Sequence, residues 1–312
     1  MAVKQQRQLT DEVRAERRER DREYARKAVE QLRSSDGWKA WLTARTSFYS
    51  YSLGNQLLIA MQRPTATRVA GFQAWLRLGY CVSRGEIAIR IWAPCPPTRK
   101  QLEKWRQSGG DPDQRPRTFY KLAAVFADDQ VAPLPPPAVP APLDPPIRDV
   151  EGDELAPVIP SLVGLAEEIG CTVAFAPISG GAHGYYQPST DRIVVDDGLS
   201  ANQRVKTLCH ELAHALVRHD RQPNDPALDY AGEELVAESV AYTCVGSLGV
   251  STEDYSIPYL ASWAESSDLE VLERTAGLID RLARRIEGAT IHDLPGNVDT
   301  HAATADQQSV TA

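Results

Sequence analysis

Thr207-Leu-Cys-His210-Glu211-Leu-Ala-His214-Ala-Leu216 is the stretch on which the reading of this 312-residue chain turns. His-Glu-x-x-His on a helix sets two imidazoles four residues apart, one turn above the other on the same face. A single metal ion held by both side chains needs that spacing. Glu211 lies about 100° further round the helix and can face a water on the open side of the metal. The flanking sequence supports a helix: Ser200 and Gln203 have capping-box spacing, and Val205, Leu208, Leu212 and Leu216 recur at helical intervals. A charged pair on a surface helix is the alternative.

A catalytic zinc site takes a third protein ligand and keeps a fourth position for water. The segment Glu233-Glu234-Leu-Val-Ala-Glu238-Ser-Val-Ala-Tyr242 supplies a donor on a second helix, whose apolar stripe includes Leu235, Ala237, Val240, Ala241, Val245 and Leu248. Glu234 and Glu238 stand at i,i+4 and project together. Two like charges on a buried helix call for something cationic opposite them. The expected site is therefore Zn2+ held by His210, His214 and Glu234, with Glu211 as general base. Glu238 would take the free ring N–H of a ligating histidine. Glu233 is the rival ligand but points to the side of that face. His183, His219 and Tyr242 are further groups that could assist catalysis, each with a purely structural alternative.

His210-Glu211-x-x-His214 followed by Glu234-x-x-Ala237-Glu238 resembles the zincin metallopeptidases of the ImmA/IrrE type, whose third ligand is a second-helix glutamate. Asp191-Arg-Ile-Val-Val-Asp196, Gln203-Arg-Val-Lys-Thr-Leu208 and Asp254-Tyr-Ser-Ile-Pro-Tyr259 are similar to that group as well. Val236 departs from it, standing where relatives often have a further acid. The resemblance implies that Ile193 to Val195 form a sheet-edge strand to which a peptide substrate could add.

The net charge of −8 hides a division. Residues 1–127 hold 24 Lys+Arg against 12 Asp+Glu, which leaves 10 against 30 for residues 128–312. Such segregation points to a polyanion partner for the front half. Residues from about Thr10 to Leu32 read as one helix of interleaved charges, either a phosphate-contacting arm or a solvated helix laced by i,i+4 pairs. Behind it, aromatics and arginines interleave from Trp38 to Trp92. The candidate nucleic-acid contacts are Arg45, Tyr49, Tyr51, Asn55, Arg68, Trp75, Arg84 and Arg90. In a single-strand binder bases stack on rings while cations track the backbone. The alternative for each aromatic is a place in the core. Ile87 to Ile91 alternates like a strand after a turn at Arg84-Gly85, and Phe119 to Phe126 is a second candidate strand.

Tyr51-Ser-Leu-Gly-Asn-Gln-Leu-Leu-Ile-Ala60, Ala66-Thr-Arg-Val-Ala-Gly-Phe-Gln-Ala-Trp75 and Gly85-Glu-Ile-Ala-Ile-Arg-Ile91 together resemble the N-terminal single-stranded-DNA-binding domain of ArdC-type antirestriction proteins. In that family this domain precedes a zincin domain, and members shield transferred plasmid DNA from host restriction. The fold expected from both resemblances is α+β in two domains, the second with its HExxH helix packed on a small sheet. The expected organisation is a charged helix at 1–34, a DNA-binding domain at 35–128, a Pro-rich linker at 129–157, a peptidase domain at 158–290 and a disordered tail at 291–312. Eight prolines between Pro133 and Pro146 make the linker either a semi-rigid spacer or a loose tether.

The five cysteines are odd in number and scattered, without a Cys-x-x-Cys pair, which points to reduced thiols. No window is apolar enough to span a bilayer, and Met1 runs into Lys4 and Arg7 without a signal-peptide core. A cytoplasmic protein without a membrane partner is expected. Its function reads as a zinc metallopeptidase that binds single-stranded DNA and cleaves a protein or peptide substrate. The alternatives are a non-catalytic DNA-protecting protein with a structural zinc domain, and a peptidase whose basic half recognises an acidic protein.

Overall fold

Trp38, Trp41 and Leu42 fall at helical spacing, and they decide how the front of the chain folds. The computed structural model describes residues 11–48, 51–95, 97–109, 119–135, 140, 152–250 and 268–290. Helix α1 (Asp11–Glu30) is the charged helix expected there, laced by the exposed pairs Arg22–Glu19, Lys27–Glu23 and Arg26–Glu30. Its last turn differs, because Ala28 and Val29 are buried ahead of Leu32. Helix α2 (Ser35–Ser47) starts where the Ser34 hydroxyl accepts the Gly37 N–H, and it buries Trp38, Trp41, Leu42 and Ala44. Helix α3 (Leu53–Gln62), strand β1 (Val69–Ala70), helix α4 (Phe72–Arg77) and strand β2 (Tyr80–Val82) follow. Strand β3 (Ile89–Cys95), helix α5 (Arg99–Gln107), strand β4 (Phe119–Ala127) and strand β5 (Val131–Pro133) complete this half. Strands β3 and β4 pair antiparallel from Ile89↔Val125 to Cys95↔Phe119. Strand β1 adds to β4, and β2 pairs with β5 as a separate ribbon.

The back half holds helix α6 (Ile159–Glu168), strands β6 (Thr172–Phe175), β7 (Gly184–Gln187) and β8 (Arg192–Val195), and helices α7 (Ala201–His219), α8 (Tyr230–Ser247) and α9 (Leu269–Thr290). The sheet order is β6-β8-β7, with β8 parallel to β6 and antiparallel to β7. This corrects the expectation that Ile193 to Val195 lie on the sheet edge. Strand β8 is the central strand and all three of its side chains are buried, while the edges belong to β6 and β7. Helix α7 buries Val205, Leu208, Leu212 and Leu216. Its Ser200 cap accepts the Gln203 N–H, but the Gln203 amide turns to the His183 ring, so the capping box is half made.

The span expected as a linker, 129–157, is structured at both ends. Pro133 closes β5 opposite Tyr80, where a ribbon edge tolerates the missing N–H. Asp153 accepts the Ala201 N–H, and the Leu155 N–H donates to Asn202. Most of the proline run, residues 110–118, Asp254 to Tyr259 and the tail at 291–312 lie outside the described residues. Among the described residues no helix is long and apolar enough to cross a membrane.

The two halves share one hydrophobic core running from Trp38 and Trp41 to Leu208, Val240 and Ile279. Helix α2 lies on α8, close enough that a Cβ at Gly246 would stand 2.7 Å from Thr46 Cγ2. Trp38 Nε1 donates to Ser239 Oγ at 3.3 Å, and Thr43 Oγ1 lies 3.1 Å from the Tyr242 hydroxyl. Arg45 is wholly buried and grips α9: its Nη atoms meet both Glu287 oxygens at 2.6 and 2.8 Å, and its Nε meets Asp280 at 3.0 Å. Burial alone would lower the pKa of this guanidinium, but Glu287 and Asp280 outweigh it and hold the charge. Replacing Arg45 by Met strands the buried Glu287 carboxylate, while Asp280 keeps Arg284 and Gln56, so urea unfolding should show a loss of about 3–5 kcal/mol. Arg45→Lys should recover only part of it, because one ammonium cannot reproduce the bidentate fork.

Candidate metal centre

Helices α7 and α8 pack side by side, apolar except for one polar seam. On it His210 Nε2 and His214 Nε2 stand 3.2 Å apart. Glu234 reaches across from α8, with Oε2 at 3.7 Å from the first nitrogen and Oε1 at 3.5 Å from the second. A tetrahedral ion bound to nitrogen and oxygen at ~2.1 Å sets its ligand atoms ~3.4 Å apart. The three separations bracket that edge, so the donors fit a divalent ion without rearrangement of either helix. Glu238 Oε1 lies 3.6 Å from His210 Nδ1, the ring nitrogen turned away from Glu234. A carboxylate there fixes ring orientation and tautomer. Glu233 is exposed and lines a different cavity of about 280 Å³ with Arg221 and Leu278.

Without a metal, burial holds the His214 pKa down to about 4, with the His210 ring adding to the effect. The imidazole is therefore neutral and its lone pair available. Glu211 is buried beside the cage, and burial pushes its pKa up to about 7. The Tyr186 backbone N–H pulls it down, while Glu234 and Glu238 push it further up. A carboxyl poised near neutrality can both take and return a proton. Strand β7 lies directly over it. A Cβ at Gly184 would stand 2.5 Å from Thr207 Cγ2 and 3.5 Å from Glu211 Cγ, so only glycine allows this approach.

The other catalytic candidates sit elsewhere. The exposed His183 bonds Gln203, Tyr242 turns to α2, and His219 bonds Asp191 at 2.9 Å. Tyr186, whose main chain touches Glu211, was not singled out from sequence. Its only signal was the glycine two residues ahead of it in a strand that hugs a helix.

Three expected nucleic-acid contacts are corrected by burial. Arg45 is consumed by Glu287 and Asp280. Trp75 is fully buried, with Nε1 donating to the Phe126 carbonyl at 2.8 Å. Asn55 is buried and clamps the Trp92 main chain, donating to its carbonyl at 2.9 Å and accepting its N–H at 2.7 Å. Tyr51 is half-buried, edge-on to Phe48, and its carbonyl accepts from Gln56 and Arg284. Arg68 is half-buried, Arg84 and Arg90 are exposed, and Tyr49 lies outside the described residues. An aromatic not anticipated is Tyr120, 64% exposed on β4. The register places it on the same sheet face as Arg90 and the half-buried Trp92.

Residues 4–126 match the family model described as the N-terminal domain of anti-restriction factor ArdC. Residues 166–280 match that of a zincin-like metallopeptidase, MPTase-PolyVal. The chain thus carries an ArdC-type N-terminal domain followed by a zincin-like metallopeptidase domain. An uncharacterized Bacillus anthracis protein, pXO2-81, is 25% identical over 261 residues, 73% of this chain. The match spans only 43% of that relative's length. The Mn(II)-bound crystal structure of the antirestriction ArdC protein from the R388 plasmid is 19% identical with a TM-score of 0.48, over 79% of this chain and 85% of that one. The metal-free form is 18% identical with a TM-score of 0.48, over 78% and 86%.

The two candidate third ligands separate by metal analysis. Glu234→Ala and His210→Ala should each lower the affinity of the cage for Zn2+ by at least ~10², whereas Glu233→Ala should leave it unchanged. Unchanged affinity in Glu234→Ala, with the loss falling on Glu233→Ala instead, would remove Glu234 from the cage.

Proposed function

We propose that the chain is a single-stranded-DNA-binding metallopeptidase of the antirestriction type, acting in the cytoplasm. The observation that carries this reading is the triangle of His210, His214 and Glu234 with the buried Glu211 beside it. A purely structural site has no use for a base at that place. A divalent cation such as Zn2+ in the cage supplies a Lewis acid for water and for the scissile carbonyl.

The chain's own groups do the remainder. His210, His214 and Glu234 would hold the ion, and Glu238 lies against the His210 ring and would keep it turned. Glu211 takes the proton of the attacking water and returns it to the leaving amine. Strand β7 offers an open edge beside Glu211, along which an extended peptide can lie. For the front half, the ArdC domain match and the positive balance of residues 1–127 support a nucleic-acid partner. With Arg45, Asn55 and Trp75 buried, the surface left for it is the outer face of β3 and β4, with Arg90 and Tyr120, and the turn at Arg84.

Glu211→Gln should bind Zn2+ as the wild type does while hydrolysis of an unfolded protein substrate and of the chain itself falls at least ~10²-fold. Undiminished hydrolysis would rule Glu211 out as the base. On the DNA side, Tyr120→Ala should weaken single-strand binding by ~1–3 kcal/mol, the worth of one stacked base. Arg90→Ala should lower the salt slope of binding by about 0.7. Competition by single strands no better than by duplex would sink the single-strand reading.

A further inference from the structure

A second set of metal-type donors lies at the far end of α7, built from residues that the cage does not use. Cys171 immediately precedes β6, Asp191 ends the turn between β7 and β8, and His219 is the last residue of α7. One ligand atom from each, Sγ, a carboxylate oxygen and a ring nitrogen, lies within 4.8 Å of the other two. Asp191 Oδ1 stands 2.9 Å from His219 Nε2 and accepts from the Tyr186 hydroxyl at 2.8 Å. That hydroxyl is itself 3.3 Å from His219 Nε2. The sulfur is buried and the Asp191 and His219 side chains are each partly exposed, so the group opens outward and an ion can enter without unfolding.

We propose that Cys171, Asp191 and His219 form a second divalent-cation site, of the thiolate–carboxylate–imidazole kind that suits Zn2+, with the Tyr186 phenol or a water at the fourth corner. Tetrahedral zinc sets sulfur and nitrogen ligands ~3.6 Å apart and oxygen and nitrogen ~3.3 Å apart. The Asp191–His219 pair is already inside that distance, and the longest separation has to close by only about 1 Å. Sulfur with imidazole favours zinc over magnesium or calcium, which prefer oxygen. Two further observations favour a cation here. His219 closes the last turn of α7, a 19-residue helix whose carboxy end favours positive charge. Asp191 is the only non-glycine among the described residues with a left-handed backbone, at φ 46°, and its side chain meets both the Tyr186 hydroxyl and the His219 ring.

Burial, then Asp191, keeps the Cys171 thiol above its ordinary pKa, so an entering ion displaces one proton as the sulfur–metal bond forms. A filled site would fasten β6, the β7–β8 hairpin and α7 together. It would therefore fix strand β7, whose Tyr186 N–H faces Glu211. The inference is independent of peptidase activity, since the cage contains no sulfur.

Cobalt titration of the metal-stripped full chain distinguishes the two sites. The wild type should bind two Co2+ per chain and show thiolate-to-cobalt charge-transfer absorption in the near ultraviolet. Cys171→Ala should lose one ion and the whole band, and the exposed-site variant His219→Ala should weaken that ion at least ~10-fold. His210→Ala should lose the other ion and keep the band, so failure of one site is not mistaken for failure of the other. A single Co2+ per wild-type chain without the band would leave Tyr186, Asp191 and His219 as an ordinary hydrogen-bonded cluster and overturn the proposal. A band that survives in Cys171→Ala would do the same, by assigning the sulfur elsewhere.

Discussion

Helix α8 has to satisfy two neighbours at once, and the rest of the molecule is arranged around that. One face sends Glu234 and Glu238 toward the α7 histidines. A face roughly 100° round receives Trp38, Thr43 and Thr46 of α2 at Ser239, Tyr242 and Gly246. A shift or rotation of α8 that relieved one contact would spoil the other. Interiors packed at crystal density do not deform gradually, so the helix has one permitted seat. Arg45 reinforces that seat by tying α2 to α9, which itself lies against α8. Isolated buried ion pairs often contribute little net stability. This one makes bonds to two acids and ties α2 to α9.

The geometry of the seam was legible because it is local. Two histidines four apart and two glutamates four apart state their faces through helical periodicity alone, and the observed distances follow from it. The choice of Glu234 over Glu233 came from the same arithmetic. What could not be read is whatever depends on distant partners. Arg45 looks like any surface arginine among aromatics until Glu287, 242 positions away, takes its charge. Asn55 and Trp75 were misread for the same reason, since Trp92 and Phe126 complete their hydrogen bonds from other elements. The order of strands in a sheet is another non-local fact. Residues 192–195 announce a strand clearly, but nothing in them says that β7 covers their outer side.

The charge division between the halves also takes a different meaning once burial is known. Some of the positive excess at the front is spent inside the fold or on α1's own acids, as with Arg22, Arg26 and Lys27. The cations left at the surface include Arg84 on a turn, Arg90 on the outer face of a short sheet, and Lys100, Lys104 and Arg106 on α5. Exposed Tyr120 stands on that same face, where a side chain of its size would otherwise be sheltered.

The shared interior of the two halves bears on how the protein ages in a cell. Trp38, Trp41 and Arg45 are sealed against α8 and α9, so the two halves are joined through their interior and not by the chain alone. A protease nick at 141–150 would leave both pieces clasped as one particle, still folded. Cutting either piece away by truncation would instead expose a greasy wall with a bare ion pair in it, and neither fragment should survive alone.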